Sequence, residues 1–291
     1  MSDLDTRTLM SVNGRAPRAR RSTKLSFSDI AIRVVAGIGI VFLLLPTVIS
    51  IIVSFGPGQF PVFPPQGWTL KWFTSIDPGY GDAALTSVIL AAWTAAISIT
   101  VGVPASFGLA RWGRGANVLQ TLARAPMQVP YVVIGVMMLQ FFVLITKTTG
   151  VPFVGTMQGL VIAHCVVAVP YVIGAVYPTA CLLNTSLDDA AYGLGASRLY
   201  TFFRVVLPSL KGSIVAGTVF AFLVSFDDVP ITLFLVGSNV QTLPVKLFAD
   251  TEFSFTPELF AVSTLATVVT CVLVLILTKR VGTQRMSGAS S

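Results

Sequence analysis

Six stretches of this sequence run for about 20 residues or more with almost no charged side chain, which leaves few folds open. They cover residues 30–55, 83–110, 126–146, 157–180, 211–236 and 258–279. Val34 to Phe55 contains no charge, and neither does Ala83 to Ala110. An apolar run of that length crosses the hydrocarbon layer as a helix, because no water is there to satisfy an open backbone. Composition agrees: 11% of residues are charged and 54% hydrophobic, against about 25% charged in a soluble domain. The expected fold class is therefore all-α, a polytopic membrane protein with six transmembrane helices.

The net charge of +7 could suggest nucleic acid, but that requires basic residues gathered on one polar face. Here they punctuate the apolar runs. With the N-terminus placed in the cytoplasm, that side collects Arg7, Arg15, Arg18, Arg20, Arg21, Lys24 and Arg33. It also collects Arg111, Arg114, Arg124, Arg198, Arg204, Lys211, Lys279, Arg280 and Arg285. The other side receives Lys71, Lys147 and Lys246. Positive residues mark the cytoplasmic face, so six spans with both termini inside are expected. Residues 1–29, basic and polar, read as a disordered cytoplasmic tail. Residues 30–280 form the transmembrane domain, and 281–291 a cytoplasmic C-terminal tail. The first apolar run is too long for a signal peptide's core of about 7–15 residues, and Gly56-Pro57-Gly58 after it is a turn. The first span therefore stays as an anchor.

Two outer loops have substance. Residues 56–82 are proline-rich, and Trp68 and Trp72 share a face if Thr69 to Phe73 is helical. They serve either as an interfacial anchor or as a contact for an external partner. Residues 237–257 suit a short re-entrant or surface helix.

The loop after the fourth span, about 184–210, carries the most information. Ser186 followed by Asp189 resembles a capping box, so a helix should begin near Leu187. Asp188 and Asp189 favour that helix's positive end. Ala190 and Ala191 are small enough to let another surface approach. Gly195 is a stop, Ser197 can cap a second helix, and Pro208 ends it. Leu199, Phe202, Phe203 and Val206 follow the spacing of one apolar face. The product is a helix–glycine–helix elbow.

This elbow resembles the EAA loop of permease subunits of binding-protein-dependent ABC importers. That pattern is Glu-Ala-Ala, three residues, Gly, nine residues, then Ile-x-Leu-Pro. This chain has Asp189-Ala190-Ala191, Gly195, Val205 and Leu207-Pro208 at that spacing. Asp replaces Glu and Val replaces Ile. Ser225-Phe226-Asp227-Asp228-Val229, Thr242-Leu243-Pro244-Val245-Lys246, Pro257-Glu258 and Trp68-Thr69-Leu70-Lys71-Trp72-Phe73 extend the likeness to the second permease of spermidine/putrescine-type importers, over about residues 30–280. The resemblance implies the type I importer (MetI-like) fold and residence in a bacterial inner membrane. It implies a coupling helix in which Asp188, Asp189, Ala190, Ala191, Gly195, Ser197 and Pro208 serve docking to an ATPase subunit, present in two copies. A second permease and an external substrate-binding protein are implied as partners, with lipid around them and no nucleic acid. ATP and Mg would be bound by the ATPase, and no cofactor by this chain. The implied cargo is a polyamine, taken in by alternating access.

Asp227 and Asp228 need their own account, since a charge at the centre of a bilayer costs about 2.5–3.5 kcal/mol on insertion scales. Lys211 to Asp228 is about 25 Å of helix, which places the pair toward the outer side. Adjacent residues diverge by about 100° on a helix, and Pro230 cannot donate to the carbonyl of Phe226. A local break is therefore expected. Together with Phe226 and Phe222 as cation–π partners, the acids read as a substrate-binding patch for a cation. A structural role, pairing with a partner's basic group or with interfacial water, stands beside it.

Other chemistry finds little support. His164 is the one histidine and lies in a span, where a packed or helix-bonded ring is expected rather than a metal ligand. Cys165, Cys181 and Cys271 read as apolar fillers. Gly37, Gly39 and Gly102, with Ser98 and Ser106, read as close helix packing. No GxxxxGK[ST] loop is present, so no ATPase activity is expected of this chain. Rival assignments are the same machine carrying an aminophosphonate, an opine, or an iron or sulfate-type ion, or else a stand-alone secondary transporter. A membrane enzyme lacks a catalytic cluster.

Overall fold

The computed structural model describes residues 27–113, 115–237, 240–253 and 255–287. The expected N-terminal tail lies almost entirely outside them. The described residues are overwhelmingly helical and contain no strand, only an isolated bridge between Gly237 and Val240. In chain order the helices are α1 (Phe27–Val53), α2 (Lys71–Thr74), α3 (Pro78–Arg111), α4 (Ala116–Arg124), α5 (Tyr131–Thr149), α6 (Met157–Leu182) and α7 (Ser186–Gly193). They continue with α8 (Arg198–Thr201), α9 (Leu207–Ser209), α10 (Lys211–Phe226), α11 (Pro230–Leu235), α12 (Leu243–Phe253) and α13 (Pro257–Ser287).

Five helices are long and apolar enough to cross a membrane alone: α1, α3, α5, α6 and α13. A sixth crossing is reached if 198–209 and α10, which meet at a 77° bend, count as one span, and the expected fifth span, 211–236, is not one helix. It divides into α10 and α11 around residues 227–229, the break expected from Asp227, Asp228 and Pro230. The third span begins later than expected. A 3-10 turn over Ala125–Gln128 and Pro130 precede Tyr131, and the residue before a proline avoids the helical region. At the other end, α13 continues to Ser287, so residues 281–287 of the expected C-terminal tail are helical.

Residues 31–48 of α1 are all exposed. An exposed apolar helix of this kind, free of charge from Val34 onward, suits lipid or a protein partner.

The remainder is built around α3, α6 and α10. Lipid tails are as apolar as leucine, so helices in a bilayer associate through close fit rather than the hydrophobic effect. The buried stripes are correspondingly rich in small residues: Ser87, Ala91, Thr94, Ala95, Ser98, Gly102 and Ser106 on α3, beside Leu90 and Val103, and Gly217, Ala221 and Ser225 on α10, beside Val219. Val172 of α6 sits where they converge. A Cβ on Gly102 would lie 2.8 Å from Val172 Cγ1, and one on Gly217 would lie 3.3 Å from Val172 Cα. Ser106 returns its hydroxyl proton to the Gly102 carbonyl at 2.7 Å, which keeps it satisfied without water. A second apolar cluster joins Leu90, Ile134, Phe142, Leu160, Val167, Ile231 and Leu235, and so fastens α5 and α11 to α6.

The outer loops differ from expectation in detail. The helix at the tryptophans spans only Lys71–Thr74, and Trp68 precedes it. Trp72 Nε1 donates to the Gly56 carbonyl at 2.8 Å, whereas Trp68 is exposed, so the two do not act as one face. The expected helix within 237–257 is α12.

Candidate functional site

Two regions carry the sequence-derived site residues, and each follows from its local chemistry. The first is the elbow. Its opening helix starts at Ser186, near Leu187 as expected, and Asn184 Oδ1 accepts the Ser186 N–H at 3.0 Å just before it. The expected capping box does not form, and Thr185 at the N-cap makes no side-chain cap bond. Gly195 ends it as expected, with φ +83°, a conformation that glycine adopts without strain. Gly195 N–H donates to the Tyr192 carbonyl at 2.9 Å and Ala196 N–H to Ala191 at 3.0 Å, the paired bonds of a Schellman stop. Ser197 caps the second helix by accepting the Tyr200 N–H at 3.3 Å.

That second helix runs unbroken from Arg198 to Ser209, with a π-turn at Phe202–Val206. Pro208 lies inside its last turn, and the chain turns by 77° into α10 at Leu210. The π-turn also rotates the apolar face. Thr201, Val206 and Leu210 are buried, while Leu199 and Phe203, expected on that face, are 73% and 58% exposed. Asp189 and Ala190 are exposed and Ala191 is half-buried. Asp188 points the other way. It is buried against the end of α3, where its Oδ2 accepts from Arg111 Nε at 3.1 Å and lies 2.9 Å from Arg111 Nη2. Arg111 also donates to the Leu183 carbonyl at 3.3 Å and lies over the Phe107 ring at 5.3 Å. Asp188 therefore anchors the elbow and is not part of its outer surface. Around it Leu187, Tyr192, Leu194 and Tyr200 are all exposed.

The second region is a cavity of about 680 Å³ at the break in the fifth span. Its wall includes Tyr131, Tyr171, Phe226, Asp227, Asp228 and Thr267, and no basic residue. Asp227 is exposed there, and among the described residues its carboxylate has no hydrogen-bond partner, while its backbone N–H donates to the Leu223 carbonyl at 3.0 Å. Asp228 is buried, and its Oδ2 accepts from Ile231 N (3.1 Å), Thr232 N (2.9 Å) and Thr232 Oγ1 (3.0 Å). It thus caps α11, whose first turn would otherwise leave bare N–H groups in the membrane. Its Oδ1 has no hydrogen-bond partner among the described residues. The break lets the two adjacent acids share one cavity, which a continuous helix would forbid.

Phe226 lines the cavity and Phe222 does not. Phe222 stacks on Phe226 at 5.8 Å and packs into the core beside Val172 and Ala221. The aromatic wall instead includes Tyr131 and Tyr171, whose hydroxyls are 3.1 Å apart. Sequence spacing gave no sign of that pair, since the two lie 40 residues apart. His164 is fully buried and hydrogen-bonded to the broken span, its Nδ1 2.8 Å from Ser225 Oγ and its Nε2 3.0 Å from Thr232 Oγ1.

Residues 98–286 match the family described as binding-protein-dependent transport system inner membrane component. The chain belongs to this family. It is a permease subunit of an ABC importer and a multi-pass inner-membrane protein. Over 232 residues it is 31% identical to the putrescine transport system permease protein PotI of Escherichia coli K12, covering 78% of this chain and 82% of that protein. It is 27% identical to the spermidine/putrescine permease protein PotC of the same organism, over 80% and 87% of the two chains. A molybdate/tungstate permease protein, WtpB of Pyrococcus abyssi, is 29% identical over 59% and 68%. Among solved structures, a bacterial ABC transporter for the acidic polysaccharide alginate matches with TM-score 0.66 at 17% identity, over 87% of this chain and 98% of that one. The MetNI methionine transporter matches with TM-score 0.53 at 16% identity, over 73% and 96%. These two confirm the expected type I importer fold.

Proposed function

We propose that this permease carries a polyamine of the putrescine/spermidine class through the cavity at the broken fifth span. The observation behind this is the cavity wall: two carboxylates, three aromatic rings and no basic side chain. Such a wall attracts a multiply charged cation and repels an oxyanion, which favours the cargo of the polyamine relatives over molybdate or tungstate. Asp227, exposed and unpaired among the described residues, makes the first contact with an ammonium group. Phe226, Tyr131 and Tyr171 offer their ring faces.

ATP and Mg are bound and ATP is hydrolysed by a separate pair of ATPase subunits, and a second permease completes the pathway. A substrate-binding protein delivers the cargo from outside. The exposed surface of the elbow, Asp189, Ala190, Leu194 and Leu199 with the Gly195 hinge, docks on the ATPase. Both termini lie in the cytoplasm.

Uptake of labelled putrescine by the complete transporter in proteoliposomes tests this. Asp227→Asn should raise KM for putrescine by roughly tenfold, in line with loss of one charge-assisted contact. Unlabelled molybdate should not compete. Unchanged uptake with both Asp227→Asn and Asp228→Asn would remove the acids from the cargo path.

A further inference from the structure

The break in the fifth span leaves two short helices where a continuous one would have held its own geometry. Something must fix the angle between them, and the cavity depends on it, since Asp227 and Asp228 lie within the break. One residue touches both sides. His164, on α6, meets Ser225 in the last turn of α10 through Nδ1 at 2.8 Å, and Thr232 in the first turn of α11 through Nε2 at 3.0 Å. Thr232 in turn donates to Asp228 Oδ2 at 3.0 Å.

With Asp228 ionised and His164 neutral, one arrangement of protons satisfies every partner. A carboxylate only accepts, so the single Thr232 hydroxyl proton goes to Asp228. His164 Nε2 must then carry a hydrogen and donate to Thr232 Oγ1. For a neutral ring Nδ1 is the acceptor, and Ser225 donates to it. The result is a one-way wire, Ser225 to His164 to Thr232 to Asp228, with all four residues buried. In a membrane such groups have no water to fall back on, so each depends on the others. The wire ends on the carboxylate oxygen that already accepts two backbone N–H groups. It therefore holds the Asp228 plane in one orientation and leaves Oδ1 as the oxygen without a partner.

We infer that His164 is a positioning residue for the cargo site, a staple that joins both halves of the broken span to α6 and so sets where the two carboxylates meet a cation. This rests on the cationic-cargo reading above. The staple does not touch cargo itself. It acts on affinity by holding the break.

The test separates hydroxyl chemistry from packing. In the complete transporter, Thr232→Val keeps the shape and removes the hydroxyl, while Thr232→Ser keeps the hydroxyl and removes a methyl. Ser225→Ala cuts the other arm. Thr232→Val and Ser225→Ala should each raise KM for putrescine roughly three- to tenfold, the range of single side-chain hydrogen bonds in membranes. Vmax and the amount of assembled complex should hold, and Thr232→Ser should keep the wild-type KM. His164→Gln, which can reach Thr232 but not Ser225 as well, should match Ser225→Ala. Equal loss in the Val and Ser variants, or a fall in Vmax and complex yield at constant KM, makes the cluster a packing feature and overturns the inference. Should Thr232→Val fail to assemble, Ser225→Ala alone decides by the same criterion. Absence of saturable putrescine uptake by the wild type overturns the cargo reading first, and the staple's role with it.

Discussion

At the scale of single residues, the charged groups of the described chain divide into those held by partners and those left open. Asp188 and Arg111 belong to the first kind, with side chains only 11% and 23% exposed. Removing one member of such a pair strands the other, which costs about 3–5 kcal/mol when fully buried and less where water still reaches the groups. Arg111→Met should therefore destabilise by roughly 1–3 kcal/mol. Asp188→Asn, which keeps an acceptor for the guanidinium, should have a smaller effect. Thermal melting of the purified complex reads both, and transport per ATP hydrolysed should fall in Arg111→Met as the elbow loosens from α3. Equal melting points for the two variants would remove the ion pair from the account. Asp228 shows why residue roles are only half legible in sequence. Its neighbour Pro230 foretold the break, but its partner His164 lies 3.7 Å away across 64 positions of chain, and no spacing rule reaches that far. Phe222 failed for the opposite reason. One helical turn from Phe226, it shares that ring's side of α10, yet the cavity ends before reaching it.

At the scale of elements, features held by local bonds are legible in the sequence and those held across the chain are not. The end of α3 at Arg111 and both ends of α10, at Lys211 and before Asp227, follow from where charge interrupts the apolar runs, whereas α6 starts at a Thr156 cap and carries Pro170 and Pro178 inside it. The elbow's glycine stop and Ser197 cap are local too, since each rests on hydrogen bonds within a few residues. The apolar face of its second helix departs from the 3.6-residue period at Phe203, where a π-turn adds one residue to the repeat, while Leu199 is exposed before that turn begins. The glycine stop yields a prediction of its own. Gly195 sits at φ +83° with open space around its Cα, so a methyl there meets no neighbour and strains only the backbone. Gly195→Ala should cost about 1 kcal/mol of elbow stability while complex yield stays near normal. The turn should then shift away from its left-handed geometry and reset the angle between α7 and α8. Putrescine-stimulated ATP hydrolysis should drop by several-fold. Full stimulation in Gly195→Ala would show that the elbow's angle does not govern coupling.

At the scale of the whole molecule, charge sorts by end. The helix ends that meet around Tyr80, α12 and the start of α13 carry Asp77, Asp82, Asp250, Glu252 and Glu258. There Tyr80 donates to Asp250 at 2.6 Å, and Lys246 lies 3.4 Å from the same carboxylate. The opposite helix ends, around the elbow, carry Arg111, Arg124, Arg198, Arg204 and Lys211. Positive residues stay on the side from which a membrane protein is inserted, which supports the proposed orientation with the elbow end in the cytoplasm and the acidic end outside. An acidic outer face also raises the local concentration of a cation before it enters the cavity, an effect that salt weakens within about 10 Å at 0.1 M. Orientation can be read directly. With Cys165, Cys181 and Cys271 replaced, a cysteine at Glu252 should react with a membrane-impermeant maleimide in intact cells. A cysteine at Leu194, which is 90% exposed at the elbow, should react only after the membrane is opened. The reverse pattern would put the elbow outside, where no ATP-hydrolysing partner could reach it, and the proposed coupling would fail as a whole. Glu252 labelling that falls when the binding protein is added would further place that partner on the acidic end.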